Sequence, residues 1–83
     1  MAGQPLFQAA QIFGERVRSR RLALGMSQEQ LADAIGLHWT FVGQVERGQR
    51  NISLRNILKL AEGLEIDPGE LVAGLRGPSS APA

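Results

Sequence analysis

The chain has 83 residues, a formal net charge of +1, 43% hydrophobic residues and 5% aromatic residues. This length predicts one small domain that buries a modest share of its surface, so a second subunit is expected to help stabilise it. Because the sequence has no cysteine and a single histidine, it excludes disulfides and clusters of thiolate or histidine metal ligands.

The first predicted helix carries an arginine within its apolar stripe. Phe13, Val17 and Leu24 share one face, and Arg21 follows Val17 by four residues on that same face. We expect the helix to end at Gly25, because glycine adopts the left-handed conformation of a helix C-terminus without a steric cost. The spacing predicts that Arg21 is partly buried.

Two short helices joined by a glycine turn come next. Ser27 and Gln30 have the spacing of a capping box, which predicts a helix that starts at Gln28 and ends at Gly36. A second helix must begin within two or three residues of Gly36. This pattern is typical of a helix-turn-helix, which places its second helix in the DNA major groove.

The second of these helices is predicted to have an apolar inner face and a polar outer face. Val42 and Val45 mark the inner face, and Gly48 ends the helix. A polar outer face is commonly just solvated, but large exposed aromatic side chains require a partner. The outer face carries Thr40, Gln44 and Arg47, and its flanks carry Trp39 and Phe41.

A second charged residue occupies an inward position on this helix. Glu46 lies four residues after Val42, so it points inward as Arg21 does. A single buried charge is costly, whereas a carboxylate and a guanidinium with matched geometry satisfy each other. We therefore predict an Arg21–Glu46 ion pair that holds this helix against the first one. The alternative is that both side chains extend to water.

Two further helices are predicted in the last third of the chain. Ser53 is the expected N-cap of the fourth helix, and Asp67 followed by Pro68 is expected to start a short fifth helix that ends near Gly74. The apolar residues at helical spacing in the fourth helix are Leu54, Ile57, Leu58, Ala61 and Leu64.

The domain boundaries follow from these elements. We expect a flexible lead over residues 1–8, one domain over residues 9–75 and a disordered tail over residues 76–83, which lacks apolar anchors. No apolar run approaches the roughly 18 residues that span a bilayer. No signal-peptide pattern is present either, so a cytoplasmic protein without a membrane partner is expected.

Charge is distributed unevenly along the chain. Eight basic and three acidic residues lie between Arg16 and Lys59, whereas four acidic residues and one basic residue follow from Leu60 onward. This polarity predicts a face for phosphates, which supply most of the non-specific affinity for DNA. An ordinary mixed surface is the alternative.

The sequence resembles a known family over about Gly14 to Leu71. The runs RVRSRRLALGMSQEQLADAIGL, VERG and ISLRNILKLAEGL are similar in order to the Cro/CI-type helix-turn-helix (XRE) family, which includes phage repressors and restriction-modification controller proteins. The resemblance implies an all-α, compact five-helix bundle of the lambda-repressor-like type. It also implies a homodimer that regulates transcription by binding an operator in double-stranded DNA, and it assigns Arg21 and Glu46 to the family's paired buried positions.

The resemblance further implies where DNA is read. Gln28 corresponds to a residue that holds a phosphate from the start of the second helix. Trp39, Thr40 and Gln44 correspond to base-reading positions, and a tryptophan there favours stacking or contact with a thymine methyl group. Gly43 has no side chain, so it is expected to let the backbone approach a base closely.

Phosphate contacts are expected on both sides of these positions. His38 stands where the family usually has Ser, Thr or Asp, and as a poor N-cap it is expected to reach a phosphate instead. The loop after the third helix and the N-terminus of the fourth are the predicted phosphate clamp. The expected phosphate contacts, besides Gln28, are His38, Phe41, Arg47, Arg50, Asn51, Ser53 and Arg55.

The predicted dimer interface lies at the end of the chain. A two-fold dimer places its recognition helices about 34 Å apart and requires an inverted-repeat operator. The same apolar residues would equally form a lid on the core of a monomer. They are Leu64, Ile66, Leu71, Val72 and Leu75.

These patterns favour a DNA-binding transcriptional regulator. The alternative is an antitoxin or another protein-interaction module of a toxin-antitoxin pair. No arrangement of nucleophile and base supports an enzyme. No cofactor, metal or small-molecule effector is expected.

Overall fold

The computed structural model describes residues 3–77, which form five helices and contain no strand. This confirms the predicted all-α, five-helix fold. The predictions for residues 1–2 and 78–83 lie outside the described residues. The helices are α1 (Gln8–Ala23), α2 (Gln28–Ile35), α3 (Trp39–Glu46), α4 (Leu54–Gly63) and α5 (Pro68–Val72).

Local hydrogen bonds set the bounds of α2 as predicted. The Ser27 hydroxyl accepts from the Gln30 N–H at 3.0 Å, and the Gln30 side-chain oxygen accepts from the Ser27 N–H at 2.8 Å. Gly36 then ends the helix in the left-handed conformation, with φ of 71°. A cap of this kind contributes about 1 kcal/mol, so α2 is defined by its own sequence before any packing.

The start of α1 lies against the end of α3. The Leu6 N–H donates to the Gly48 carbonyl at 2.8 Å, and α1 begins at Gln8. Gly48 has φ of 74°, and a Cβ there would lie 3.0 Å from the Pro5 Cβ. Glycine at this turn therefore allows both the left-handed backbone and the close approach of the preceding segment.

The core packs α3 against α1 and α2, and α4 covers α2 from the other side. The positions predicted to face inward on the first three helices are buried, apart from Leu24, which is partly buried at the end of α1. The largest fully buried side chains of the described residues are Val17, Leu31, Val42, Val45, Leu60, Leu64 and Leu71.

The apolar face of α4 differs from the predicted one. Leu54 is 71% exposed and Leu58 is 46% exposed, whereas Leu60 is fully buried. The inner face follows the i, i+3, i+4, i+7 spacing that begins at Ile57, and Leu58 lies about 100° around the helix from Ile57. Periodicity alone did not decide which leucines faced the core.

Burial also corrects the predicted dimer interface. Leu64 and Leu71 lie in the core of a single chain, so their assignment to an interface is wrong. Ile66 and Leu75 are partly buried against the same core. Val72, 40% exposed, is the predicted interface residue that the fold leaves most open. The alternative of a lid on the core therefore describes most of this set.

Two arginines of α1 bind the C-terminal ends of α4 and α5. Arg20 donates from Nε to the Leu64 carbonyl at 2.8 Å and from Nη2 to the Glu65 carbonyl at 3.1 Å. Arg16 donates from Nη1 to the Ala73 carbonyl at 2.8 Å. Helix C-termini carry unsatisfied carbonyls and a partial negative charge, which a guanidinium stabilises. These two arginines therefore have structural partners within the fold, which a count of charges along the chain does not show.

The backbones of α1 and α3 approach closely at Gly14. A Cβ added at Gly14 would overlap the Val45 carbonyl oxygen and lie 2.8 Å from the Glu46 carbonyl oxygen. The contacting atoms are backbone, so they cannot move aside without shifting α3.

We expect Gly14→Ala to destabilise the protein by about 2 kcal/mol or more, although alanine favours a helix by up to about 1 kcal/mol. Urea unfolding followed by far-ultraviolet circular dichroism measures the loss. Ser19→Ala on the exposed side of α1 is the control and should stay within about 0.5 kcal/mol of the parent. Equal stability of Gly14→Ala and Ser19→Ala would contradict the close approach.

Candidate nucleic-acid interface

A buried ion pair fixes α3 from behind. Arg21 donates from Nε to Glu46 Oε2 at 2.6 Å and from Nη2 to Glu46 Oε1 at 3.0 Å, and the two side chains are 7% and 2% exposed. The remaining Arg21 nitrogen donates to the Met26 carbonyl at 2.7 Å. The predicted pair is confirmed, and the alternative of two solvent-directed side chains is wrong. A bidentate pair of this geometry specifies orientation as well as distance.

Gln28 joins the same network. Its Nε2 donates to Glu46 Oε1 at 3.0 Å, which ties the first residue of α2 to the last residue of α3. This bond uses one of the two amide hydrogens. The predicted phosphate contact at Gln28 therefore stays a prediction that relies on the other hydrogen.

His38 caps α3, contrary to the expectation of a poor cap. Its Nδ1 accepts from the Thr40 N–H at 3.2 Å and lies 2.7 Å from the Thr40 hydroxyl. An imidazole nitrogen here replaces the side-chain oxygen that usually satisfies a free N–H at a helix start. Because Nδ1 accepts, Nε2 carries the proton of the neutral ring and stays available as a donor.

The first turn of α3 exposes an aromatic surface. Trp39 is 50% exposed, and its ring stacks on the His38 ring with centroids 5.7 Å apart. Thr40 is also exposed. The structure therefore places both predicted base-reading residues of this turn on the outside of the molecule.

Gly43 is covered and does not lie on the open surface. A Cβ at Gly43 would lie 3.2 Å from Arg47 Nη1 and 3.4 Å from Gln28 Oε1. The ends of two flexible polar side chains cover this position, and the predicted close backbone approach to a base stays a prediction. Arg47 itself is exposed and donates from Nε to Gln49 Oε1 at 3.3 Å.

Phe41, Gln44 and Arg50 form a linked set that sequence reasoning missed. Arg50 donates from Nε to Gln44 Oε1 at 2.8 Å, and its guanidinium lies 5.2 Å from the centre of the Phe41 ring. Phe41 is partly buried against the core and its ring supports the Arg50 guanidinium, whereas its predicted phosphate contact stays a prediction. The bond joins a helix to the loop after it, and the sequence carried no periodic signal for it.

The start of α4 presents the remaining predicted phosphate contacts. The Ser53 hydroxyl accepts from the Asn56 N–H at 3.2 Å, which confirms the predicted N-cap. Asn51 and Arg55 are exposed on either side of it. Their contact with phosphate stays a prediction.

The described part of the chain shows neither of two other kinds of site. Residues 3–77 bring together no group of three or more His, Cys, Asp or Glu side chains that would suit a metal ion. Within the same residues, no helix has the length and apolar character required to cross a bilayer.

Comparison with known proteins agrees with this geometry. Residues 17–71 match the family model described as Helix-turn-helix. This chain belongs to the helix-turn-helix family. The matched segment of this chain begins within α1 and ends within α5, and it includes the Arg21–Glu46 pair and the whole of α3.

The helix-turn-helix relatives include controller proteins of restriction-modification systems. Control protein C.BamHI of Bacillus amyloliquefaciens is 45% identical over 62 residues, which is 74% of this chain and 76% of the relative. The crystal structure of the controller protein C.AhdI of Aeromonas hydrophila has a TM-score of 0.73 and 58% identity, and the match covers 75% of this chain and 94% of that one. The controller protein C.Esp1396I, crystallised as a tetramer with its natural 35 base-pair operator, has a TM-score of 0.71 and 27% identity over 76% of this chain and 83% of that one.

The buried ion pair of this helix-turn-helix protein is expected to show strong energetic coupling. Arg21→Met leaves Glu46 buried without its partner, so it should cost about 3–5 kcal/mol, and the double variant Arg21→Met/Glu46→Leu should recover part of that loss. Urea unfolding of the singles and the double gives the coupling energy.

Arg18→Ala, an exposed change on the same helix, is the control and should leave stability nearly unchanged. A double variant whose loss equals the sum of the two single losses would show that the pair does not act as a unit.

Proposed function

We propose that this chain is a transcriptional regulator that binds an inverted-repeat operator in double-stranded DNA as a homodimer. The observation that carries the proposal is the contrast between the two sides of α3. Its inner side is held by a buried bidentate ion pair, whereas Trp39 and Thr40 on its first turn are exposed. A rigid helix with open polar and aromatic side chains is what major-groove recognition requires.

In this proposal the exposed first turn of α3 reads base edges. Thr40 offers a hydroxyl that both donates and accepts, and Trp39 offers an apolar surface that suits a thymine methyl group. Gln44 follows one turn after Thr40, so it faces the next base pairs along the groove.

The phosphates on either side of the groove are proposed to meet the ends of the helices. His38 Nε2 and the second amide hydrogen of Gln28 lie at the starts of α3 and α2, where backbone N–H groups also favour an anion. Ser53 and Arg55 supply the same features at the start of α4. The other proposed phosphate contacts are Arg47 and Asn51.

The proposed dimer surface lies on α4 and α5. Leu54 and Leu58 are one turn apart on α4 and exposed, and α4 packs against α5, which exposes Val72. Exposed apolar side chains grouped on adjoining elements favour a contact with another protein surface. The relative C.Esp1396I forms a tetramer on its operator, which supports self-association here.

We propose that the protein binds operator DNA in the cytoplasm and catalyses no reaction. Regulation then depends on the concentration of the protein and on dimer formation, because dimerisation and DNA binding are linked equilibria. No observation favours the antitoxin alternative over this function.

Titration with DNA should change the emission of Trp39, which is the single tryptophan in a chain without tyrosine. We expect an inverted-repeat duplex selected from a random pool to bind more tightly than unselected duplex, with affinity falling as salt rises. Fluorescence titration at several salt concentrations measures both effects.

Thr40→Val keeps the size of the side chain and removes the hydroxyl, so it should alter base preference with little effect on folding. The proposal fails if emission and anisotropy stay unchanged with every duplex at low salt.

Leu58→Glu should convert the dimer to a monomer, because it places a charge in the proposed apolar contact. Sedimentation equilibrium at micromolar concentration measures the mass, and operator affinity should fall at least tenfold. Leu22→Glu is the matched control, since Leu22 is a similarly exposed leucine on α1. If Leu58→Glu and Leu54→Glu both remain dimeric, the interface lies elsewhere.

A further inference from the structure

We propose that Arg50 sets the base preference of Gln44, so that the pair reads guanine and not adenine. The inference rests on the proposed function, in which α3 lies in the major groove, and it assigns a specificity role to a loop residue. The observation behind it is the bond from Arg50 Nε to Gln44 Oε1, which turns the oxygen of the glutamine amide toward Arg50 and uses one of its two lone pairs.

The chemistry of the bond determines which way the Gln44 amide faces. An arginine Nε–H can only donate, so the Gln44 atom 2.8 Å from it must be the oxygen. The amide nitrogen then lies on the other branch of the planar group. Gln44 therefore presents two N–H donors to its surroundings.

Arg50 is held in place by two features of the fold. Its guanidinium lies 5.2 Å from the centre of the Phe41 ring, and Phe41 packs against the core. A cation over an aromatic face is attracted to it, and arginine is found in such contacts more often than lysine. The guanidinium therefore rests on an aromatic ring that the core holds in place.

The loop that carries Arg50 is also tied to α3. The Gln49 N–H donates to the Gln44 carbonyl at 2.9 Å, and the Gly48 N–H donates to the Val45 carbonyl at 2.9 Å. These bonds place Arg50 next to Gln44 although six residues separate them. The donor set is thus organised before DNA arrives, which lowers the cost of binding.

A pair that presents mainly N–H donors matches guanine better than adenine. Glutamine recognises adenine with both branches of its amide, since the oxygen accepts from N6 and the nitrogen donates to N7. Guanine presents two acceptors, O6 and N7, in the major groove. Because the Gln44 oxygen is turned toward Arg50, the Gln44 amide nitrogen and the other guanidinium N–H groups form the donor set that complements guanine.

Selection of operator sequences from a random pool tests this assignment. The base pair that faces Gln44 is located as the position where Gln44→Ala loses its preference. At that position the parent should favour guanine over adenine by roughly tenfold, the scale of one bidentate contact. Arg50→Ala should shift the preference toward adenine, because it leaves the Gln44 amide free to turn its oxygen toward the base.

Two further variants separate positioning from simple charge loss. Arg50→Met keeps an apolar side chain against Phe41 and removes all N–H donors, so it should give the same shift toward adenine. Arg55→Ala is the charge control and should weaken all sequences alike, with the salt slope reduced by about one and the base preference unchanged. In a Gln44→Ala background, Arg50→Ala should no longer alter base preference.

The outcomes distinguish this inference from the proposed function. If Arg50→Ala and Arg55→Ala both weaken binding with identical base preferences, Arg50 is a phosphate contact and the inference is overturned. A parent protein that selects adenine opposite Gln44 overturns it as well. Absence of binding to any duplex by the folded parent instead refutes the proposed function, and this inference with it.

Discussion

The bidentate bond between Arg21 and Glu46 is the constraint on which the orientation of α3 depends. Arg21 lies near the end of α1, and Glu46 is the last residue of α3. The two hydrogen bonds between them therefore resist rotation of α3 about its axis. Gln28 adds the first turn of α2 to the same carboxylate. A hydrophobic contact tolerates sliding, whereas paired hydrogen bonds to a charged group specify distance and direction. This buried network determines the positions of the exposed side chains of α3.

Backbone proximity reinforces that network. Gly14 lets α1 approach the carbonyls of Val45 and Glu46, and Gly48 lets the chain before α1 lie against the turn after α3. The end of α3 is thus enclosed by backbone on two sides. Its exposed first turn, with Trp39 and Thr40, lies at the opposite end of a helix of only eight residues. Rigidity at one end of so short a helix extends to the other.

The arginines of this chain have three different physical roles despite their similar sequence context. Arg21 neutralises a buried carboxylate, and Arg16 and Arg20 bind carbonyls at helix ends. Arg50 rests on an aromatic ring and orients an amide. A count of charges along the sequence does not distinguish these arginines and assigns all of them to one positive face. The hydrogen-bond geometry shows that the burial and partner of each guanidinium decide its role, because each donor is satisfied at a specific acceptor.

Local sequence determined the number and type of helices, most of their ends, and the inward direction of Arg21 and Glu46. Helix caps act between residues that are a few positions apart, so the sequence pattern predicts them. Examples are the Ser27–Gln30 capping box and the helix end at Gly36. Only the tertiary structure decided which leucines of α4 face the core, that Leu64 and Leu71 belong to it, and that Arg50 holds Gln44. These outcomes depend on contacts between elements whose relative placement no helical period encodes. Side-chain burial and long-range hydrogen bonds are properties of the assembled fold, and residues such as His38 took roles that their usual preferences did not predict.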